Sequence, residues 1–158
     1  MTNNTDHPQR LTPTAAPGVL SKRLHALSTR IRLRDTTERD PVYLALVRQC
    51  QCVACGLDKA DEAAHLRMSS AAHGKRGAMA KKPADRWAAP LCAQCHREGP
   101  DAQHKIGEQE FWHRAGINPL LFCVRLYAAK GSLDRMRAVT ANAIAEAEAA
   151  RQSVRSFD

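Results

Sequence analysis

Six cysteines and seven histidines carry most of the chemical information in this chain of 158 residues. Four of the cysteines form two pairs with two residues between the members, Cys52 with Cys55 and Cys92 with Cys95. This spacing lets a tight turn aim both sulfurs at one ion, and two such pairs supply the four thiolates of a tetrahedral zinc site. The spacing therefore predicts a structural zinc ion bound by these four residues.

Two other interpretations explain the cysteines less well. Buried, unreactive thiols are common in protein cores, but they do not account for two pairs at ligand spacing. Cys92, Cys95 and His96 also match the attachment pattern of c-type haem, although that chemistry leaves the first pair without a role. Cys50 is close enough to the first pair to be a spare ligand, whereas Cys123 lies in an apolar segment and is expected in the core.

Three histidines lie where the cysteine pairs would hold them. His65 is on a predicted strand, His96 directly follows the second cysteine pair, and His104 comes eight residues later. An ion that joins the two pairs brings the segments of His65 and His96 together, so we expect one cleft, with Asp85 as a further candidate. A lone histidine is more often structural than catalytic, and His96 is also an alternative zinc ligand, so their roles depend on this context.

The surrounding sequence predicts a small α+β domain that positions these residues. Asp40 and Pro41 are typical of a helix start, and apolar spacing extends this helix to about Gln49. Strands are expected over residues 62–67 and 85–91, with a long basic loop between them. The strands and the helix behind the second cysteine pair form the expected frame of the site.

Further helices are predicted after the second cysteine pair. The first begins near Cys92, is interrupted at residues 99–100, and resumes over residues 105–114 before a glycine stop. Another occupies residues 119–131, and a last one covers residues 133–151 and packs against the core or a second copy, which leaves the oligomeric state open. The expected apolar face of the 119–131 helix consists of Leu120, Leu121, Val124, Leu126 and Tyr127.

The formal net charge of +8 favours a polyanionic partner such as nucleic acid, although an indifferent basic surface has the same charge. We interpret residues 1–38 as a disordered basic arm, residues 39–118 as the zinc domain, residues 119–152 as C-terminal helices and residues 153–158 as a tail. The loop residues expected to contact nucleic acid are Lys75, Arg76, Lys81 and Lys82.

The first residues of the chain are polar, and no apolar run approaches the length of a signal-peptide core or a transmembrane helix. We therefore expect a cytoplasmic protein without a membrane partner, in a compartment where thiols stay reduced. Paired cysteines in that compartment bind metal more often than they form disulfides.

The pattern resembles that of HNH, or ββα-metal, endonucleases with a zinc-knuckle frame. In that family a Cys-x-x-Cys pair precedes a strand ending in histidine, and a Leu-Cys-x-x-Cys-His block follows at a helix. The corresponding segments here are Cys52-Val53-Ala54-Cys55, Ala64-His65-Leu66 and Leu91-Cys92-Ala93-Gln94-Cys95-His96. The resemblance covers about residues 40–119. A narrower resemblance, to phage and prophage recombination-enhancing (Ref) nucleases, rests on residues 43–48, 82–87, 90–92, 104 and 111–112.

The resemblance implies a metal-dependent DNA endonuclease that hydrolyses phosphodiester bonds, with a role in recombination or DNA processing. His65 would take a proton from water as the general base, and a divalent ion such as Mg²⁺ or Mn²⁺ would bind the scissile phosphate. His96 would hold that ion, with His104 as a second ligand, while the zinc site would remain structural. DNA is the implied substrate, and the narrower resemblance adds a recombinase filament as a partner.

Two positions depart from the family pattern. Ala64 stands where many members carry an aspartate metal ligand, so His104 or Asp85 would have to replace it. No asparagine occurs between His65 and His104, so a backbone carbonyl or Asp85 would orient the base. These departures are also expected of a copy that has lost catalysis. The alternative function is therefore a zinc-ribbon protein that binds nucleic acid, which needs neither His65 nor a second ion.

Overall fold

The described part of the chain, residues 38–75 and 82–155 of the computed structural model, contains five α-helices and one two-stranded antiparallel sheet. In chain order its elements are α1 (Pro41–Val47), β1 (Glu62–His65), β2 (Ala88–Leu91), α2 (Gln103–Ile106), α3 (Glu108–Ala115), α4 (Pro119–Ala128) and α5 (Leu133–Arg155). Short 3₁₀ turns cover Ala71–His73 and Asp85–Trp87, and a π-helical turn covers Gln94–Glu98. This mixture of helices and a small sheet confirms the predicted α+β class.

Several predicted segments fall outside this description. The N-terminal arm, residues 1–38, lies outside the described residues except for Glu38, and so do residues 156–158 of the tail. None of the helices in the described ranges is long and apolar enough to cross a membrane.

Helix α1 begins as the sequence predicts. The Asp40 side chain accepts a hydrogen bond of 2.9 Å from the Tyr43 backbone N–H, and Pro41 occupies the start of the helix. The helix ends at Val47, slightly before the predicted end. Tyr43, Leu44 and Val47 are buried, so the predicted apolar stripe faces the core.

The two strands pair with Glu62 opposite Leu91 and His65 opposite Ala88. Both strands are shorter than predicted, and residues 85–87 form a 3₁₀ turn closed by a backbone hydrogen bond of 3.0 Å. The Trp87 carbonyl still accepts a backbone hydrogen bond of 2.9 Å from the Leu66 N–H, so the turn lies beside the end of β1.

After β2 the chain passes through the second cysteine pair into the π-helical turn, which ends at Gly99. A side chain at Gly99 would meet the Gln94 carbonyl oxygen at 2.7 Å, so this close return of the chain requires glycine. Helices α2 and α3 follow, and α3 ends at Gly116 in the left-handed conformation, with φ of 70°. The predicted interruption and the predicted glycine stop are both confirmed.

Helix α4 begins at its predicted cap, where the Asn118 side chain accepts a hydrogen bond of 3.1 Å from the Leu121 N–H. Its buried face consists of Pro119, Phe122, Cys123 and Leu126, which confirms Cys123 as a core residue. The placement of Leu121 and Val124 on this face is wrong, because they are 40% and 44% exposed. A helix that is apolar on most sides does not reveal from its sequence which side faces the core.

Helix α5 packs on α4 and α1, with Met136, Thr140 and Ala147 buried. Thr140 donates its hydroxyl hydrogen to the Met136 carbonyl at 2.9 Å, so this buried polar group is satisfied. The last helix therefore packs against the core. The helix continues to Arg155, beyond its predicted end at Arg151.

Candidate functional site

The four paired cysteines come together: Cys52 and Cys55 from the loop before β1, Cys92 from just after β2, and Cys95 from the π-helical turn. Their sulfur atoms all lie within 4.8 Å of one another, and those of Cys55 and Cys92 are 3.8 Å apart. A tetrahedral ion with metal–sulfur bonds of about 2.3 Å requires sulfur–sulfur separations of about 3.8 Å. This four-cysteine cluster therefore has the dimensions of a tetrahedral metal site, and His96 is not needed to complete it.

Backbone hydrogen bonds hold the first cysteine pair in place. The Gly56 N–H donates to the Cys52 carbonyl at 2.8 Å, which closes the turn between the two cysteines. The Val53 N–H donates to the Pro90 carbonyl at 3.0 Å, which ties this turn to strand β2 just before Cys92. These backbone hydrogen bonds therefore hold the two cysteine pairs close to each other, independently of the contacts between their sulfur atoms.

The pKa values of Cys52, Cys55 and Cys95 are shifted in different directions. A hydrogen bond from the Cys95 thiol lowers the pKa of Cys52 although burial opposes it, and the same contact raises the pKa of Cys95. Burial raises the pKa of Cys55. Four thiolates cannot form at these separations unless a cation compensates their like charges. The cluster is therefore suited to a thiolate-binding ion such as zinc.

Cys50 is not part of the cluster. Its sulfur lies 3.5 Å from the Leu46 carbonyl oxygen, and burial raises its pKa. The interpretation of Cys50 as a spare metal ligand is therefore wrong, because its thiol is turned back to helix α1 and the metal-sized group consists of the four paired cysteines.

His65, the last residue of β1, pairs with Asp85, the first residue of the 3₁₀ turn before β2. The Nε2 atom of His65 lies 2.9 Å from Oδ1 of Asp85. The Asp85 carboxylate also accepts hydrogen bonds from the Asp40 N–H at 2.8 Å and from Arg39 at 3.2 Å, and only 3% of the side chain is exposed. Of the two groups expected to orient His65, the structure therefore provides Asp85.

The surroundings of this pair favour a neutral imidazole and an ionised carboxylate. Burial lowers the pKa of His65 and outweighs the hydrogen bond to Asp85, and the positive charges of Lys82 and Arg39 lower the pKa further. The pKa of Asp85 is also lowered: burial opposes ionisation, but its three hydrogen-bond donors outweigh burial. With the carboxylate ionised, the His65 proton belongs on Nε2 and the lone pair on Nδ1.

Replacing Asp85 by asparagine is expected to lower the free energy of unfolding by about 2–4 kcal/mol at neutral pH. The amide removes the counter-charge of Arg39, whose side chain is 45% exposed, and cannot accept hydrogen bonds from all three donors around the buried position 85. Because folding lowers the pKa of Asp85, the contribution of this carboxylate is present above its unfolded pKa of about 4 and is lost as the pH falls below that value. Urea unfolding of the native chain and of Asp85→Asn, both loaded with zinc at pH 7, measures the difference.

The matched change is Asp58→Asn, because Asp58 is exposed. It should alter stability by no more than about 0.5 kcal/mol. Equal stability of the native chain and Asp85→Asn at pH 7 would contradict the predicted role of the ionised carboxylate.

His96 forms a second histidine–carboxylate pair. Its Nδ1 atom lies 2.6 Å from Oε2 of Glu62, the first residue of β1, and Arg97 contacts both oxygens of the same carboxylate. The His104 ring, from helix α2, stands edge-on to the His96 ring with the ring centres 4.5 Å apart. The two histidines expected to hold a divalent ion are therefore neighbours.

The two histidine–carboxylate pairs lie at opposite ends of β1, with His65 at its last residue and Glu62 at its first. Three residues of strand separate these positions by about 10 Å. Among residues 38–75 and 82–155, the four-cysteine cluster is the one group of three or more histidine, cysteine or acidic side chains whose ligand atoms all lie within 4.8 Å of one another. A single cleft shared by His65 and His96 stays a prediction.

The loop expected to contact nucleic acid is only partly described. Lys75 is 5% exposed and donates a hydrogen bond to the Met68 carbonyl oxygen. The expectation that Lys75 faces nucleic acid is therefore wrong, because its ammonium group is bound inside the protein. Lys82 is exposed as expected, while Arg76 and Lys81 lie outside the described residues.

Three side chains that shape the site were not identified from the sequence: Glu62, Arg39 and Glu108. Glu108 begins helix α3 and accepts hydrogen bonds from the Arg67 N–H at 2.8 Å and the Met68 N–H at 2.6 Å, which holds the chain just after β1. The one signal for Glu62 is that it is the sole acidic residue in the predicted strand. Arg39 and Glu108 gave no signal, because their partners are distant in the sequence.

The fold and the site define a small α+β protein with a four-cysteine cluster suited to a metal ion. Residues 32–122, more than half of the chain, match the family described as a protein of unknown function (DUF968), and the chain belongs to this family. The matched region contains both cysteine pairs and the histidines His65, His96 and His104. No curated protein and no solved structure matches the chain.

Proposed function

We propose that this protein is a metal-dependent DNA endonuclease of the HNH, or ββα-metal, type. The observation that carries the proposal is the pairing of His65 with the buried Asp85 on a two-stranded sheet flanked by the cysteine pairs. A plain four-cysteine binding module has no need of such a pair, whereas hydrolysis needs a base. The net charge of +8 supports DNA as the substrate. A role in recombination or DNA processing, with a recombinase filament as partner, rests on the narrower resemblance alone.

In this mechanism His65 acts as the general base. The Asp85 carboxylate accepts a hydrogen bond from Nε2–H of His65 and thereby orients the ring. Nδ1 of the same ring then takes a proton from water. The water oxygen attacks phosphorus as its proton moves to Nδ1, and the bond from phosphorus to the 3′ oxygen breaks. The 3′ oxygen leaves with the bonding electrons and takes a proton from solvent water. Burial, which lowers the pKa of His65, keeps the base neutral at pH 7.

The divalent ion required by this chemistry would be held by His96 and His104, whose rings are in contact. Such an ion stabilises negative charge on the phosphate and on the leaving oxygen. Two imidazoles suit transition-metal ions better than Mg²⁺, which prefers an octahedron of oxygen ligands, so Mn²⁺ fits these residues better than Mg²⁺. The four-cysteine cluster would hold a structural zinc ion that fixes the frame.

A zinc-ribbon protein that binds nucleic acid without catalysis is the second candidate. Ala64 favours it, because this residue is fully buried and offers no carboxylate where many HNH nucleases carry aspartate. Both functions predict a zinc ion and DNA binding that weakens steeply with salt. Only the nuclease needs His65 and a second ion.

Plasmid nicking separates the two functions. We expect the zinc-loaded chain to nick supercoiled plasmid in the presence of Mn²⁺, more slowly with Mg²⁺, and not in buffer without free divalent ions. Tight, salt-sensitive binding without cutting, on plasmid and on DNA that carries a recombinase filament, would favour the zinc-ribbon protein instead.

A further inference from the structure

Glu62 has no role in the mechanism above, yet both of its carboxylate oxygens are engaged. The Nδ1 atom of His96 lies 2.6 Å from Oε2, and the Nε atom of Arg97 lies 3.1 Å from each oxygen. The Glu62 side chain is 21% exposed, and the Nη2 atom of Arg97 also contacts Oε1, so the carboxylate and the guanidinium form an ion pair. Its pairing with Arg97 is that of an ionised carboxylate, and Arg97 and His96 together engage both of its oxygens.

This contact determines which nitrogen of His96 carries the hydrogen. An ionised carboxylate only accepts hydrogen bonds, so Nδ1 must donate, and Nε2 is left with its lone pair. Histidines bind metal ions through such a lone pair, and they commonly donate the other ring N–H to a carboxylate. The His104 ring beside His96 offers a second imidazole.

Glu62 also lies on the strand face where a carboxylate is missing. Residues two apart on a strand share a face, so Glu62 and Ala64 point to the same side of β1. Direct coordination of an ion by Glu62 would require its oxygens to leave both His96 and Arg97. Support of His96 requires no rearrangement of these contacts.

We propose that Glu62 is a positioning residue that holds His96 with Nε2 free to bind a divalent ion, while Arg97 keeps the carboxylate in place. The inference rests on the proposed function, because it assigns Glu62 to the ion site of the nuclease. In this chain a carboxylate at position 62 acts through His96, in contrast to the aspartate ligand that the resemblance leads one to expect at position 64.

Mn²⁺ binding to the zinc-loaded chain, followed by the paramagnetic resonance of free Mn²⁺, tests the proposal. Glu62→Ala should weaken Mn²⁺ binding about 10–100-fold, the usual effect of removing a carboxylate behind a ligating histidine. Glu62→Gln keeps an oxygen that accepts from Nδ1 and should restore most of the affinity. Glu98→Ala is the matched control and should bind as the native chain does, because Glu98 is exposed on the same turn and accepts from Gln94.

Imidazole ¹⁵N NMR supplies a readout that a merely structural role would not change. The native chain should show His96 in the Nδ1–H form, and Glu62→Ala should show a mixture of both neutral forms. Zinc content and Tm report whether each variant is folded. Should Glu62→Ala fail to fold, the native spectrum still decides, because an Nε2–H form of His96 would overturn the proposal.

Each outcome of the Mn²⁺ binding experiment either supports or overturns the proposal. Equal Mn²⁺ affinity in the native chain and Glu62→Ala, or no Mn²⁺ binding to the native chain, would overturn the proposal. Equal losses in Glu62→Ala and Glu62→Gln would also overturn it, because the effect would then come from charge alone. If Mn²⁺ binding depends on Glu62 but the chain does not cut plasmid, the proposed nuclease function is excluded. The role of Glu62 in positioning His96 is still supported.

Discussion

Replacing His65 by alanine is expected to reduce the rate of plasmid cleavage by about 10²–10⁴-fold, with DNA binding unchanged. Alanine removes the proton acceptor and leaves unchanged the exposed Lys82 and the other basic side chains that we expect to contact phosphates. The four-cysteine cluster is also untouched, because His65 lies outside it. Cleavage rates at saturating DNA, with gel-shift affinities from the same preparations, measure both effects.

His113→Ala is the matched control for this variant, because His113 is exposed on helix α3 and has no assigned role. It should cut plasmid at the native rate. Native-rate cleavage by His65→Ala would exclude His65 as the base and remove the main support for the proposed mechanism. Circular dichroism and zinc content distinguish loss of the base from loss of the fold.

The pH dependence of cleavage adds a second test of the same residue. A base works when it is neutral, so the rate should rise with pH and reach a plateau, with a midpoint below the ordinary histidine pKa of about 6.5. Burial is the main cause that lowers the pKa of His65, and Lys82 and Arg39 act in the same direction while Asp85 opposes them. A midpoint above the ordinary value would show that the imidazole of His65 is not the group that titrates.

The local features of this fold were predictable because their causes lie within one turn of chain. The caps at Asp40 and Asn118 and the stop at Gly116 each depend on residues three or four positions away. The four-cysteine cluster was predictable for a different reason. Its spacing satisfies one tetrahedral ion, and few other arrangements use two such pairs.

The histidine partners could not be predicted in the same way, because they depend on strand register and tertiary packing. Glu62 meets His96 across 34 residues of sequence, and Asp85 meets His65 across 20 residues. Lys75 was wrongly predicted for the same reason. A basic loop predicts that this residue is exposed, whereas it forms a β-bridge with Ser70 and its side chain donates a hydrogen bond to the Met68 carbonyl. Charge and spacing identify candidate residues, but only the packed chain decides which of them touch.

Replacing Cys52 by serine is expected to abolish binding of the proposed zinc ion and, with it, cooperative folding of the domain. Structural zinc binds small domains with roughly 10–16 kcal/mol at pH 7, whereas a whole domain is stable by only about 5–15 kcal/mol. The cluster joins the segment before β1 to the segment after β2, so its loss also releases the sheet that carries His65. Thermal unfolding should show no cooperative transition, or a Tm lower by at least about 15 °C.

The helical part of the molecule is not expected to survive this change as an independent unit. Cys52 and Cys92 belong to the same continuous core as Trp112 and Phe122, from helices α3 and α4. Release of the cysteine pairs therefore exposes the inner side of the core that these helices pack against. Chelation of the ion from the native chain should have the same effect as the substitution.

Cys50→Ala separates loss of the ion from loss of a buried thiol. Cys50 and Cys52 are both fully buried, but only Cys52 belongs to the cluster. Cys50→Ala should keep one zinc ion per chain and lose about 1 kcal/mol of stability. The metal content and Tm of both variants distinguish loss of the ion from loss of a buried thiol. If Cys52→Ser keeps one ion and the native Tm, the paired thiols are core residues that do not bind the ion. The structural metal site that both the nuclease and the zinc ribbon require is then absent.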